Sequence, residues 1–161
     1  MQKQGFRRHL AAFIRKAPWI IRFGRVFWRF RQAKFTVGVV GVLMNPQGEV
    51  LLVEHVFHPY HPWGLPGGWV DRNEDPAQGL ARELKEELQL TVTVGPLLNL
   101  KLESGNHLDF AYLCEHNEAI GPLSSEILAY KWTAPQDLPR MYDFHYQAVQ
   151  HALNISSRTE V

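Results

Sequence analysis

The sequence predicts an α/β domain with a mixed sheet, carrying a basic helical extension at its N-terminal side. Three observations predict it. The chain has 161 residues, 45% of them hydrophobic, which is enough for one sizeable core and too short for two ordinary domains. Short β-branched runs bounded by turn residues interleave with segments of helical period. Residues 1–36 hold ten cations and no acid, while the remaining 125 residues hold seven cations and all 16 acids, a net −9. Aromatic residues at 12% and an overall charge of +1 exclude a wholly disordered chain. No apolar run approaches the roughly 18 residues of a spanning helix. The one cysteine, Cys114, rules out an intramolecular disulfide and a cysteine-based zinc site. It is compatible with a reducing compartment, and the expected location is cytoplasmic.

In the extension, residues 1–34, Arg8, Arg15, Arg22 and Arg29 recur every seven residues, and Arg7 and Arg25 join their stripe on a helical wheel. Phe13, Ala17, Ile20, Phe27, Ile21 and Trp28 fall on the other side, Trp19 and Val26 blur the pattern, and Pro18 splits or kinks the helix. Three readings compete. The arm packs its aromatic side on the domain or on a second subunit, as in a homodimer. Alternatively it lies on an anionic membrane surface, where Arg with Trp and Phe suits the headgroup layer. The third reading is a cleavable organelle-targeting peptide.

The domain, residues 35–155, begins with a nearly all-apolar run over 35–44, the pattern of a strand covered on both faces. Asn45-Pro46-Gln47-Gly48 is a turn, and 50–53 a second strand, so the two read as a hairpin. Residues 55–68 form a loop dense in His, Pro and Gly, and 74–90 a helix. Residues 90–94, 97–102 and 108–114 are strands, with Ser104-Gly105-Asn106 turning the last pair. A strand over 127–132 and a closing helix over 141–153 complete the domain, and 156–161 is a tail.

The chemistry concentrates on the helix over 74–90. Asp75 or Glu74 starts it, with Pro76 suited to the first helical position. Leu80, Ala77, Leu84, Leu88 and Ala81 share one apolar arc, and Glu83, Glu86 and Glu87 an adjacent arc of about 100°. Like charges at such spacing destabilise a helix. Lys85 points away, and Arg82 can relieve only part of the repulsion. An arbitrary cluster of this kind is usually a solvated acidic face. Here the acids flank the buried arc, and Gly67-Gly68 just before them lets backbone carbonyls approach a ligand. Carboxylates plus a carbonyl form a hard-oxygen set suited to Mg²⁺, with Mn²⁺ as a substitute.

Residues 68–90 fit G-x5-E-x7-R-E-U-x-E-E-x-G-U, with U aliphatic, at every fixed position except the final glycine, which is Gln89. This resembles the Nudix box, a long and specific signal. Leu65-Pro66-Gly67-Gly68 is similar to the family's turn ahead of the box, and Glu126-Ile127 with Asp137-Leu138-Pro139 to its later strand and turn. The similarity covers about 35–155. It implies a Nudix-type α/β/α sandwich with a central mixed sheet, hydrolysing a diphosphate linkage in a nucleoside diphosphate derivative. By the same resemblance the Gly68 carbonyl, Glu83, Glu86 and Glu87 bind the metals, Arg82 and Glu74 form an orienting pair, and Glu83 or Glu126 is the base. A non-glycine at 89 would cost roughly 1–2 kcal/mol in a left-handed conformation, so an altered helix exit is expected. That departure motivates a rival reading, a Nudix-like nucleotide-sensing domain without turnover.

Other signals are weaker. His55, His58 and His61 have three-residue spacing, but Pro59 and Pro62 argue against a helix that would converge them on zinc. Phe57, Tyr60 and Trp63 are candidates to stack a base, and Trp69 is expected in the core. The downstream signatures that suggest ADP-ribose or dinucleoside polyphosphate substrates in this family are missing.

Overall fold

The structure is a computed structural model describing residues 18–159, and these fall into two compact units divided between Lys34 and Phe35. The first contains helix α1 (Pro18–Arg31). It starts at Pro18, whose missing N–H and fixed φ suit a first helical position. The portion of the expected arm before Pro18 lies outside the described residues.

The second unit is built on β1 (Thr36–Leu43), β2 (Val50–His55), β3 (Trp63–Gly64), β4 (Gly67–Trp69), α2 (Pro76–Leu88), β5 (Val92–Glu103), β6 (His107–His116), β7 (Ile127–Thr133) and α3 (Asp143–Thr159). Among the described residues two sheets form, ordered β4-β1-β6-β5 and β3-β2-β7, with only the β1–β6 pair parallel. Helix α2 packs against β1, β4 and β5, and α3 against β1, β5 and β6. Strand alternation sends Val39 and Leu43 of β1, with Leu51 and Val53 of β2, to the core under Leu80, Leu84 and Leu88 of α2. It sends Val42, Val50 and Leu52 to a second core with Phe144, Ala148, Val149 and Ala152 of α3. Each of those fully buried leucines contributes about 1.5–3 kcal/mol. This is the expected α/β/α sandwich with a mixed sheet.

Several local expectations are corrected. The turn at 45–48 forms, with the Asn45 side chain accepting from the Gln47 and Glu49 amides. The strands it joins are nevertheless not one hairpin, because β1 and β2 belong to different sheets and are bridged only by an isolated Met44–Val50 pair. Strand β1 already has β4 and β6 on its two edges, so no edge remains for β2. The segment expected as a loop over 55–68 holds β3 and the first two residues of β4. The strands expected at 90–94 and 97–102 are one, β5, whose register shifts around Gly95-Pro96, where proline lacks the N–H for the ladder. Helix α3 runs to Thr159, through most of the expected tail.

Candidate active site

Glycine builds the floor of the site. Gly67 sits at φ 147, and a Cβ there would run into the Val39 carbonyl of the paired strand. At Gly68 a Cβ would meet the Glu83 carboxyl carbon at 2.5 Å. The absence of side chains thus lets β4 lie flat on β1 while Glu83 of α2 lies directly over the backbone.

Helix α2 is aimed by its own start. Asp75 is the N-cap and accepts from the Ala77 and Gln78 amides at 2.9 and 3.4 Å, with Pro76 following it as expected. From the first turn outwards, Arg82 acts as a hub. Its Nε and Nη2 donate to the two oxygens of Glu74 at 2.9 Å each, and Nη2 also donates to the Trp69 carbonyl at 2.9 Å. Its Nη1 donates to Glu83 at 2.9 Å and to Glu86 at 3.3 Å. Glu74 Oε2 accepts in addition from the Asp71 amide at 2.8 Å. These donors, the guanidinium first, hold the Glu74 carboxyl down at about 2, so it is charged whenever the protein is folded near neutrality. The pair therefore ties the loop after β4 to the helix.

The three clustered glutamates occupy different environments. Glu86 is exposed, Glu83 is half-buried, and Glu87, though placed in the rim arc by the wheel, is only 6% exposed. Glu87 Oε2 is buried without a hydrogen-bond partner. Burial raises its carboxyl to about 8, Glu83, Glu126 and Glu86 push the same way, and the Gly67 amide offsets this only in part. Glu126 is carried there by the segment ahead of β7. The Gly121 and Ser124 amides donate to the Leu88 and Glu87 carbonyls at 2.8 and 2.9 Å, docking that segment on the end of α2.

The helix exit keeps its left-handed residue. Gln89 sits at φ 52, ψ 29, and the Gln89 and Leu90 amides both return to the Leu84 carbonyl. The expected altered exit does not occur. Gly121 lies so close that a Cβ on it would meet the Gln89 Cβ at 2.6 Å, so the extra side chain is accommodated by a glycine across the gap.

Glu83, Glu86, Glu87, Glu126 and Gly68 line one cavity of about 830 Å³. Arg82 and Glu74 brace it from behind. Of the aromatic candidates, Phe57 lines the cavity, whereas Tyr60 is 84% exposed and does not. Trp63 instead packs on the α3-side core with the Lys131 ammonium 4.0 Å over its ring. Trp69, expected in the core, is 62% exposed and forms part of the cavity wall beside His107, because its side chain faces away from the core once β4 pairs with β1.

Another part of the cavity lining is histidine-rich. His55 and His58 lie with ring centroids 4.3 Å apart, and Leu65 connects two of the rings. His55 Nε2 is 3.3 Å from the Leu65 carbonyl, and the Leu65 amide donates to His145 Nδ1 at 3.1 Å. Burial lowers His55 to about 4 and His145 to about 3, so both are neutral imidazoles. His61 lies against Tyr142 and does not line the cavity. His145 and Tyr142 had no sequence signal, being single residues near the start of an ordinary amphipathic helix.

The donor chemistry fits a divalent cation: a buried carboxylate oxygen lacks a partner amid other carboxylates, and Gly68 leaves room for Glu83. Among the described residues no three His, Cys, Asp or Glu side chains stand converged on a common point, and Arg82 engages both Glu83 and Glu86.

A family model for the NUDIX domain matches residues 34–152. The chain belongs to the Nudix family. A MutT-like protein of Streptomyces ambofaciens is 29% identical over 104 residues, covering 64% of this chain and 66% of that relative, so the chain spans just under two thirds of its length. The MutT NUDIX hydrolase from Burkholderia pseudomallei superposes with a TM-score of 0.64 at 25% identity, over 74% of this chain and 98% of the other. An ADP-ribose pyrophosphatase from Streptococcus suis gives 0.61 at 24% identity, over 76% and 91%. These likenesses show the Nudix fold.

Proposed function

We propose that this Nudix domain is a Mg²⁺-dependent pyrophosphohydrolase that cleaves a diphosphate linkage in a nucleoside diphosphate derivative. The observation that carries the reading is Glu87, a buried carboxylate with a partnerless oxygen facing three other acids on the wall of a large cavity. A cluster of this kind destabilises the metal-free fold and has no evident structural use. The Gly68 carbonyl, Glu83, Glu86 and Glu87 would hold the cation. The chemistry a bound Mg²⁺ supplies is polarisation of phosphoryl oxygens and neutralisation of the leaving phosphate.

The remaining work falls to the chain. Arg82 fixes Glu83 and Glu86 on the helix and holds the Trp69 carbonyl, so the β4 backbone and the carboxylates keep one geometry. Between the two base candidates, Glu83 has one oxygen engaged by Arg82, whereas the Glu126 carboxylate has no hydrogen bond or ion pair among the described residues. Glu126 is therefore the better group to take the proton from the attacking water. Phe57, Trp69 and the rings of His55 and His145 supply aromatic surface for the rest of the substrate.

The rival sensing domain was motivated by Gln89, and with Gln89 in the left-handed conformation that motive is gone. The test is a nucleotide panel incubated with Mg²⁺ or Mn²⁺, with products identified by ³¹P NMR. Hydrolysis of a nucleoside diphosphate derivative is expected, with Glu86→Gln and Glu87→Gln each slowing turnover by about 100-fold or more. Retained nucleotide binding without phosphate release on any compound would replace the hydrolase by the sensing domain.

A further inference from the structure

The catalytic reading leaves α1 unused, and its surface is distinctive. Over residues 18–34 the chain carries Arg22, Arg25, Arg29, Arg31 and Lys34 and no acid. At 100° per residue, Arg22, Arg25 and Arg29 fall within a stripe about 60° wide, and Val26, Trp19, Phe30, Phe23 and Phe27 within an arc about 100° wide beside it. These apolar side chains are exposed, Phe23 to 72% and Phe30 to 76%. Trp28, also exposed, borders the arginine stripe on its other side.

We propose that α1 is a docking helix for an anionic lipid surface, lying in the plane of the interface. The occupant must be apolar and negative in adjacent layers, and a bilayer with acidic headgroups has that order. Phenylalanines would enter the acyl boundary and Arg22, Arg25 and Arg29 would meet the phosphates, while Trp28, beyond the arginine stripe, stays outside the acyl layer. A second copy of α1 would bring a like-charged, acid-free helix against this one, which opposes self-pairing. The catalytic unit's excess of acid, −9 over residues 37–161, is repelled by the same surface, so attachment needs the separate cationic helix. Helix α1 has 14 residues and would extend about 21 Å, less than the roughly 30 Å of a hydrocarbon core. No helix among the described residues is long and apolar enough to cross a membrane.

The experiment is flotation of the full-length protein with phosphatidylcholine vesicles, with and without phosphatidylglycerol, at low and high salt. The wild type is expected to float only with phosphatidylglycerol and to be released by salt. Arg25→Gln with Arg29→Gln should weaken partitioning by at least about tenfold. Phe23→Ser with Phe27→Ser should weaken it comparably with the charge unchanged, while the thermal transition of the catalytic unit stays put. Wild-type protein that fails to float at low salt overturns the proposal, as does binding that both double variants leave intact. Sedimentation showing a dimer that the phenylalanine variant dissociates, with vesicle binding unaltered, would assign the face to a second copy instead.

Discussion

Glu87 shows how one side chain can be read two ways. By spacing it is a rim acid, and by packing it is a buried one, because the docked segment at 121–126 closes over it. Its titration has a definite sign. The folded-state value of about 8 lies above the usual carboxylate value of 4.5, so the fold prefers the protonated form. The metal-free protein therefore suffers no penalty below about pH 4.5, a growing one as pH rises towards 8, and the full one beyond. Glu87→Gln removes the ionisation. In chelator its melting temperature should match the wild type at pH 4.5 and exceed it by on the order of 5 °C or more at pH 8.5. Equal melting temperatures at both pH values would contradict the buried placement.

At the scale of elements, α2 and the segment that docks on its end form one device. Asp75, Pro76 and the leucine arc were legible in the sequence because capping and periodicity are local. The exit at Gln89 was not, since its cost is met by a residue 32 positions later, Gly121, which leaves space for the Gln89 Cβ. Gly121→Ala should destabilise by about 1–3 kcal/mol through that clash. Gln89→Gly alone should stabilise by about 1 kcal/mol. Combined, the two should be less harmful than their sum, and urea unfolding of all four proteins measures the coupling. Additive effects would mean that the two side chains do not compete for one space. Helix α3 carries the same lesson for the histidine wall, since its amphipathic pattern fixed the element but not that His145 would meet Leu65, 80 residues earlier.

For the whole molecule, the proposed metal site predicts that stability depends on divalent cations, which would offset the repulsion among the acids. Cation binding must displace the proton from Glu87, so Mg²⁺ should raise the melting temperature more at pH 8 than at pH 6, and chelator should reverse it. A shift independent of pH would exclude Glu87 from the site. The sequence by itself determined the α/β class, the basic and acidic halves, the capped helix and the family to which it belongs, because each rests on composition, period or fixed spacing along one segment. Only the tertiary structure decided that β1 and β2 part into different sheets, that Trp69 faces the cavity while Trp63 turns to the core, and that His145 reaches the site. Those outcomes depend on which edges and surfaces remain free after distant strands pair, and no local pattern carries that information.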